Sequence, residues 1–226
     1  AYTEDLEESA SNSNEVSATL SVKSYSDVSE SHDNYYAIRF LSYLGVLEGY
    51  EDGTFDPKGP INRAEMMKVM VYGYLGYNPD EGTYNNCFPD VKSDWYAPYV
   101  CYAKEQGWVE GYKDSYFHPE NTVSRAEALK MIFKSFAIEI PASADTSGLP
   151  YDDVFASSWF APYIVIAYEK GILTEDGVMF DPNEGRTRAE VSEEMFRLLV
   201  LSFMLEDIYN EEVLASFLES WGEFFL

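Results

Sequence analysis

Three arginines sit where a helix disfavours a cation and where an anion could be held. They are Arg63 in "INRAEMMKVM", Arg125 in "VSRAEALKMI" and Arg188 in "RTRAEVSEEM". Each falls in the predicted first turn of a helix, beside backbone N–H groups that lack an intrahelical partner and at the positive end of the helix dipole. A guanidinium next to such N–H groups makes a site for a carboxylate. The other reading is a salt bridge to one of the chain's many acids, worth roughly 0–1 kcal/mol if exposed. Other chemistry has weaker support. The 40 acidic residues supply carboxylate pairs of the kind that cleave glycosidic bonds, but no acid stands out in an apolar context. His32 and His118 are the only histidines, and neither belongs to a Ser or Cys nucleophile motif. A glycan-cleaving enzyme is therefore a remote alternative. Calcium on the acidic loops has no Asp-x-Asp-x-Asp-Gly pattern with a distal Glu behind it, and no cofactor is expected.

The elements that position the arginines recur. The three arginines are spaced by 62 and then 63 residues, and other landmarks keep step. Each unit opens with "YSDV", "FPDV" or "YDDV". A helical segment follows and ends at Gly45, Gly107 or Gly171, where a glycine can take the left-handed conformation that stops a helix. Next come the turns "GYEDGTFDP", "GYKDSYFHP" and "TEDGVMFDP", and then the arginine motif. Asn62, Ser124 and Thr187 are N-caps, and Glu65, Glu127 and Glu190 three places on complete capping boxes. Ile61 with Met66 and Val123 with Ala128 fit a hydrophobic staple, which Arg186 spoils in the third copy. The expected fold is all-α, with helix–loop–helix units over 25–80, 86–140 and 149–204.

Composition narrows the partners. A chain that is 46% hydrophobic and 16% aromatic is expected to fold. Its formal charge of −25 repels nucleic acid and anionic membranes, and no apolar run is long enough to span a bilayer. Cys87 and Cys101 have two readings, a disulfide worth roughly 3 kcal/mol or two unrelated buried thiols. A bridge favours an extracytoplasmic setting. Ala1 rather than Met in first place raises the expectation of a secretion signal removed upstream.

Taken together, Asp-Val, Trp-x-Ala, Gly-Tyr-x-Asp-Gly-x-Phe-x-Pro and Thr-Arg-Ala-Glu resemble the S-layer homology repeat, over about residues 25–204. The resemblance implies a three-pronged spindle about a pseudo-threefold axis, with grooves between prongs. It also implies non-covalent attachment at the cell surface to envelope polysaccharide bearing an acidic, pyruvate-carrying sugar. By position it assigns glycan contacts to Arg63, Arg125 and Arg188, to Asp52, Gly53, Asp114, Asp176 and Gly177 of the loops, and to Trp95 and Trp159. Both tryptophans are also open to a core-packing reading. Asp33 stands where the other copies have tryptophan, Ser115 replaces a loop glycine and Thr174 a loop tyrosine, so unequal grooves are expected.

The ends suggest assembly. Residues 1–24 form a polar arm whose Val16 and Leu20 lie on one side of a partly alternating stretch, suited to adding to a neighbouring copy. Residues 205–226 form a final helix with an apolar tail of Trp221, Phe224, Phe225 and Leu226, read either as a cover for the repeats or as a contact with another chain. Two functions follow: a self-assembling surface-layer or filament subunit that binds wall polysaccharide, or a plain wall anchor cut from a larger protein.

Overall fold

The structure, a computed structural model, describes residues 23–173 and 177–222. Among these the fold is all-helical: α1 (Tyr35–Tyr43), α2 (Arg63–Leu75), α3 (Ala97–Glu105), α4 (Arg125–Ser135), α5 (Ala161–Glu169), α6 (Arg188–Met204) and α7 (Glu211–Trp221). The only β pairing among the described residues is a set of isolated bridges. The expected polar arm lies almost wholly outside the described residues, as do Val16, Leu20, Phe224, Phe225 and Leu226.

All three expected capping boxes are present. The side chains of Asn62, Ser124 and Thr187 accept from the backbone of Glu65, Glu127 and Glu190, whose carboxylates accept in return. α3 and α5 have no side-chain cap and start on Ala-Pro instead, proline being suited to a first turn whose N–H has no partner.

Helices pair across repeat boundaries. The second helix of each unit packs on the first helix of the next: α2 on α3, α4 on α5, and α6 back on α1. The repeats therefore form a closed ring of three prongs. At its centre the segments before the long helices bond head to tail. Ile61 N donates to Arg186 O (3.0 Å), Arg186 N to Val123 O (2.8 Å) and Val123 N to Ile61 O (3.0 Å). This cycle satisfies six backbone groups where no water reaches.

A second threefold set shapes the loops. Asp27, Asp90 and Asp153 of the Asp-Val elements each accept two backbone N–H groups, from Phe55 and Asp56, Phe117 and His118, and Phe180 and Asp181, at 2.7–2.9 Å. Asp56, His118 and Asp181 have φ of 55°, 55° and 53°, a conformation unfavourable for residues with a Cβ. The paired carboxylate bonds hold them there, just before the loop proline.

Cys87 and Cys101 form a disulfide that ties the opening loop of the second repeat to α3. Reduction should remove roughly 3 kcal/mol, the loop-closure value for a 14-residue separation. Urea unfolding with and without dithiothreitol measures this, and an unchanged midpoint would show the bridge to be energetically idle. Finally, α7 covers the α1–α6 prong. Its Phe217 is fully buried and stacks on Trp221 at 5.7 Å, with Phe40 and Phe203 completing an aromatic cluster. Trp221 thus packs within its own chain.

Candidate functional site

Arg63, Arg125 and Arg188 are buried, with relative exposures of 2%, 4% and 6%. Each reaches into the loop of the next repeat around the ring. The guanidinium of Arg63 lies over the rings of Phe117 (4.6 Å) and Tyr112 (4.5 Å), donating from Nε to Phe117 O (2.9 Å) and from Nη2 to Glu110 O (3.3 Å). Arg188 repeats this on the first repeat, over Phe55 (4.7 Å) and Tyr50 (5.0 Å), donating to Phe55 O (2.9 Å) and Glu48 O (2.7 Å). Arg125 lies over Phe180 (4.3 Å), with Glu184 at 3.9 Å.

The helix N-termini beside them are occupied. Arg63 N and Ala64 N donate to Asn121 O and Pro119 O, Arg125 N and Ala126 N to Glu184 O and Pro182 O, and Arg188 N and Ala189 N to Gly59 O and Pro57 O. The third N–H of each belongs to the capping box. The free helix N–H groups that the sequence suggested as half of an anion site are therefore already spent on the neighbouring repeat. The arginine side chains are largely spent as well: Arg63 Nη1 meets Glu127 at 3.3 Å, so Arg63 offers a ligand positive charge rather than an open hydrogen-bonding edge.

One such groove is well formed. A cleft of about 150 Å³ runs between the second and third repeats, with Arg63 at its base and Trp108, Tyr112, Glu127, Lys130 and Trp159 among its walls. Trp159 is 54% exposed and Trp95 57%, so neither is a core residue. Lys130 Nζ lies 5.6 Å from the centroid of the Trp159 ring and 3.3 Å from Glu110. That lysine holds the Glu110 carboxyl below its usual range. Tyr112 donates to Glu127 (2.7 Å), and burial, reinforced by Glu127, pushes its phenol up to about 12, so it stays an O–H donor at neutral pH. An exposed indole beside an ammonium, over a guanidinium, combines a stacking face for a sugar ring with cations for an acid group.

The loop residues have local duties. Asp52 accepts from Thr54 N (3.0 Å) and its hydroxyl (2.7 Å), and Asp114 from Tyr116 N (3.0 Å), with His118 Nε2 2.7 Å away. These bonds hold both carboxyls below the usual range, the Thr54 hydroxyl leading for Asp52 and the Tyr116 N–H for Asp114. Gly53 has φ 83°, and Ser115 at the matching position of the second repeat takes φ 70° without glycine's freedom. Gly177 is described and Asp176 is not.

The three groove positions differ in more than the tryptophan change. Lys130 corresponds to Lys68 in the first repeat but to Glu193 in the third. Glu193 is buried and receives Arg197 Nε (2.8 Å), and Asn34 beside Asp33 also donates to it (3.4 Å). The segment after α6 closes over this spot: Tyr209 N donates to Lys170 O (2.9 Å) and the Tyr209 ring lies under Arg197 at 4.8 Å. A Cβ on Gly171 would fall 2.3 Å from Tyr209 O, so the approach requires glycine. Burial pushes the Tyr209 phenol up to about 12, with Glu193 adding to it. The sequence reading missed Lys130, Lys68 and Glu193, although each lies five places after its arginine.

Among the described residues no helix is long and apolar enough to cross a membrane. A family model described as the S-layer homology domain matches residues 24–67, 88–129 and 150–192, more than half of the chain. The chain is 29% identical over 167 residues to cell surface glycoprotein 1 of Acetivibrio thermocellus, covering 69% of this chain and 7% of that protein. It is 31% identical over 114 residues to the cellulosome-anchoring protein of the same organism, covering 49% and 25%. With the S-layer protein sap of Bacillus anthracis it shares 22% over 171 residues, covering 76% and 20%. The chain thus spans a quarter or less of each of these relatives.

Proposed function

The chain belongs to the S-layer homology domain family, and on that premise we propose that it holds an acidic polysaccharide of the cell envelope in the grooves between its repeats, without enzymatic activity. The observation that carries this reading is the cleft in which exposed Trp159 and Lys130 face each other above Arg63. The indole takes the face of a pyranose and the Lys130 ammonium takes the carboxylate, while Arg63, whose nitrogens already donate to Phe117 O, Glu110 O and Glu127, adds positive charge from beneath. Trp95, Lys68 and Arg188 occupy the same register positions and furnish a second groove. The third, with Asp33 and Glu193 in those places and Tyr209 beside it, repels an acid and is closed to it. We infer two binding grooves rather than three. The net charge of −25 opposes an anionic polymer only at long range, because screening limits its reach to about 8 Å in physiological salt. Relatives named as cell surface, anchoring and S-layer proteins support a cell-surface role of this kind.

The test is calorimetric titration with purified envelope polysaccharide, before and after mild acid removal of its acidic substituents. Lys130→Glu should weaken binding by at least about tenfold, since a charge-assisted contact is worth roughly 1.5–3 kcal/mol, and should cost no more than about 1 kcal/mol of stability, because the Lys130–Glu110 pair it removes lies on the solvated wall of the cleft. Unchanged binding in this variant, or equal binding of the de-acidified polymer, would remove the acid-recognition reading. A layer-forming subunit is the second reading, favoured by the relatives named S-layer proteins and by the exposed apolar side chains of Phe155, Val178 and Met179 on the third repeat. Polymers seen by electron microscopy of the purified chain would support it.

A further inference from the structure

We propose that a pocket on the outer side of the first repeat, organised by Arg39, is a carboxylate-binding site separate from the grooves. The pocket has a volume of about 220 Å³ and is lined by Lys23, Ser24, Ser29, Glu30, Tyr35 and Arg39, with Tyr25 and Val28 behind them. Ser24 and Arg39 correspond in the repeat register to Cys87 and Cys101, the two residues that seal the same place in the second repeat with a disulfide. In the third repeat the positions hold Pro150 and Val165. The first repeat alone has put a cation and a hydroxyl there and left a cavity between them.

One donor at the centre of the pocket, the Nε of Arg39, is left over. Arg39 Nη1 donates to the Tyr35 hydroxyl (2.5 Å) and the guanidinium lies 5.2 Å from the Tyr35 ring centroid. The Nε of Arg39 is buried and meets no acceptor among the described residues. A buried N–H left without a partner carries a penalty that a ligand oxygen would remove. Because Tyr35 accepts from Arg39, its own O–H is free to donate toward the cavity, and Ser24 adds a hydroxyl. A planar, singly charged carboxylate matches the Nε–Nη edge of a guanidinium and the hydroxyls around it. A dianion fits less well. Glu30 stands on the wall, Lys23 is already neutralised by its ion pair with Glu48, and a second negative charge would meet only repulsion. The space suits a carboxylate on a short carbon skeleton rather than an oligosaccharide. Such a group could come from an acidic side chain of a protein or from a single sugar acid, and the chemistry at Arg39 would be the same.

The experiment uses the full chain and follows the Arg39 Nε–H and the Ser24 and Tyr35 amides in nitrogen-edited NMR spectra. Sodium acetate, N-acetylglutamate, glucuronate and inorganic phosphate are titrated separately at constant ionic strength. The expected result is a saturable movement of these three signals with acetate, weaker with phosphate, and tightest with whichever of N-acetylglutamate or glucuronate represents the natural source. Arg39→Val, which places the third repeat's residue at this position, should weaken acetate binding read at Ser24 and Tyr35 by at least about tenfold. Glu30→Gln should tighten it a few-fold by removing a like charge. Signals that stay still with acetate, phosphate binding as tight as acetate, or unchanged affinity in Arg39→Val would overturn the proposal. So would acetate binding that emerges only in Glu30→Gln, since Glu30 would then be the partner of Arg39 itself.

Discussion

Replacing Arg188 by alanine should destabilise the fold by roughly 3–5 kcal/mol, a large share of the ~5–15 kcal/mol that holds a domain together. The side chain is 6% exposed and donates to two carbonyls of the first repeat, Phe55 O and Glu48 O, which lie 133 and 140 residues away in sequence. Each bond from a charged donor contributes about 1.5–3 kcal/mol, and the stacking on Phe55 and Tyr50 about 0.5–2. Those terms overlap, so their simple sum is an upper bound. Alanine would also leave two carbonyls short of a donor at the junction that closes the ring from α6 back to the first repeat. Lysine should restore less than half of the loss, because an ammonium cannot donate along two directions while lying flat on two rings. Urea unfolding followed by tryptophan fluorescence measures the change. A shift below about 1 kcal/mol would show that these buried bonds contribute no more than an exposed ion pair does.

The second large effect concerns a buried ion pair near the axis. Arg186 and Glu194 are 1% and 0% exposed and bonded to each other, and Arg186 Nη1 also meets Glu190 at 3.2 Å. In the register of the repeats Arg186 stands for Ile61 and Val123, and Glu194 for Val69 and Met131, all buried. The third repeat has therefore exchanged an apolar pair for a charged one at both positions together. Glu194→Met alone should cost about 3–5 kcal/mol, because it leaves a buried guanidinium short of its carboxylate. The double change Arg186→Val with Glu194→Met restores the second repeat's pair and should be neutral or stabilising by about 1–4 kcal/mol. A double-mutant cycle from chemical unfolding reads this out. Additive losses in the double variant would mean that the pair is worth more than the packing it replaced.

Much of this architecture is written locally and could be read from the chain. The capping boxes at Asn62, Ser124 and Thr187 are encoded within four residues, and the disulfide needs only two cysteines at a plausible distance. The repeat register itself located the arginines, the loops and the exposed tryptophans. The partners of the arginines were not legible, because they are backbone carbonyls of another repeat, and a carbonyl carries no sequence signature. Nor was the pairing of α2 with α3 rather than with α1, since the helices joined within a unit share the apolar pattern of those that touch across units. Asp27, Asp90 and Asp153 were visible as landmarks of each unit, but their role appears only once the loop N–H groups they bind come within reach. In the groove, Lys130 escaped notice because a lysine on a helix reads as a solvated face until Trp159 of the next repeat arrives beside it.

Binding in the two proposed grooves that carry a tryptophan is read directly by their indole N–H signals, with Trp221 as a reference packed elsewhere. Trp159 and Trp108 line the cleft between the second and third repeats, Trp95 holds the matching position in the first groove, and Trp221 is packed under α7's own cluster. Titrating the chain with an acidic oligosaccharide cut from envelope polysaccharide should move Trp159, Trp108 and Trp95 saturably and leave Trp221 in place. Movement of Trp221 alone, or no movement of Trp159 at concentrations that saturate binding, would contradict this reading.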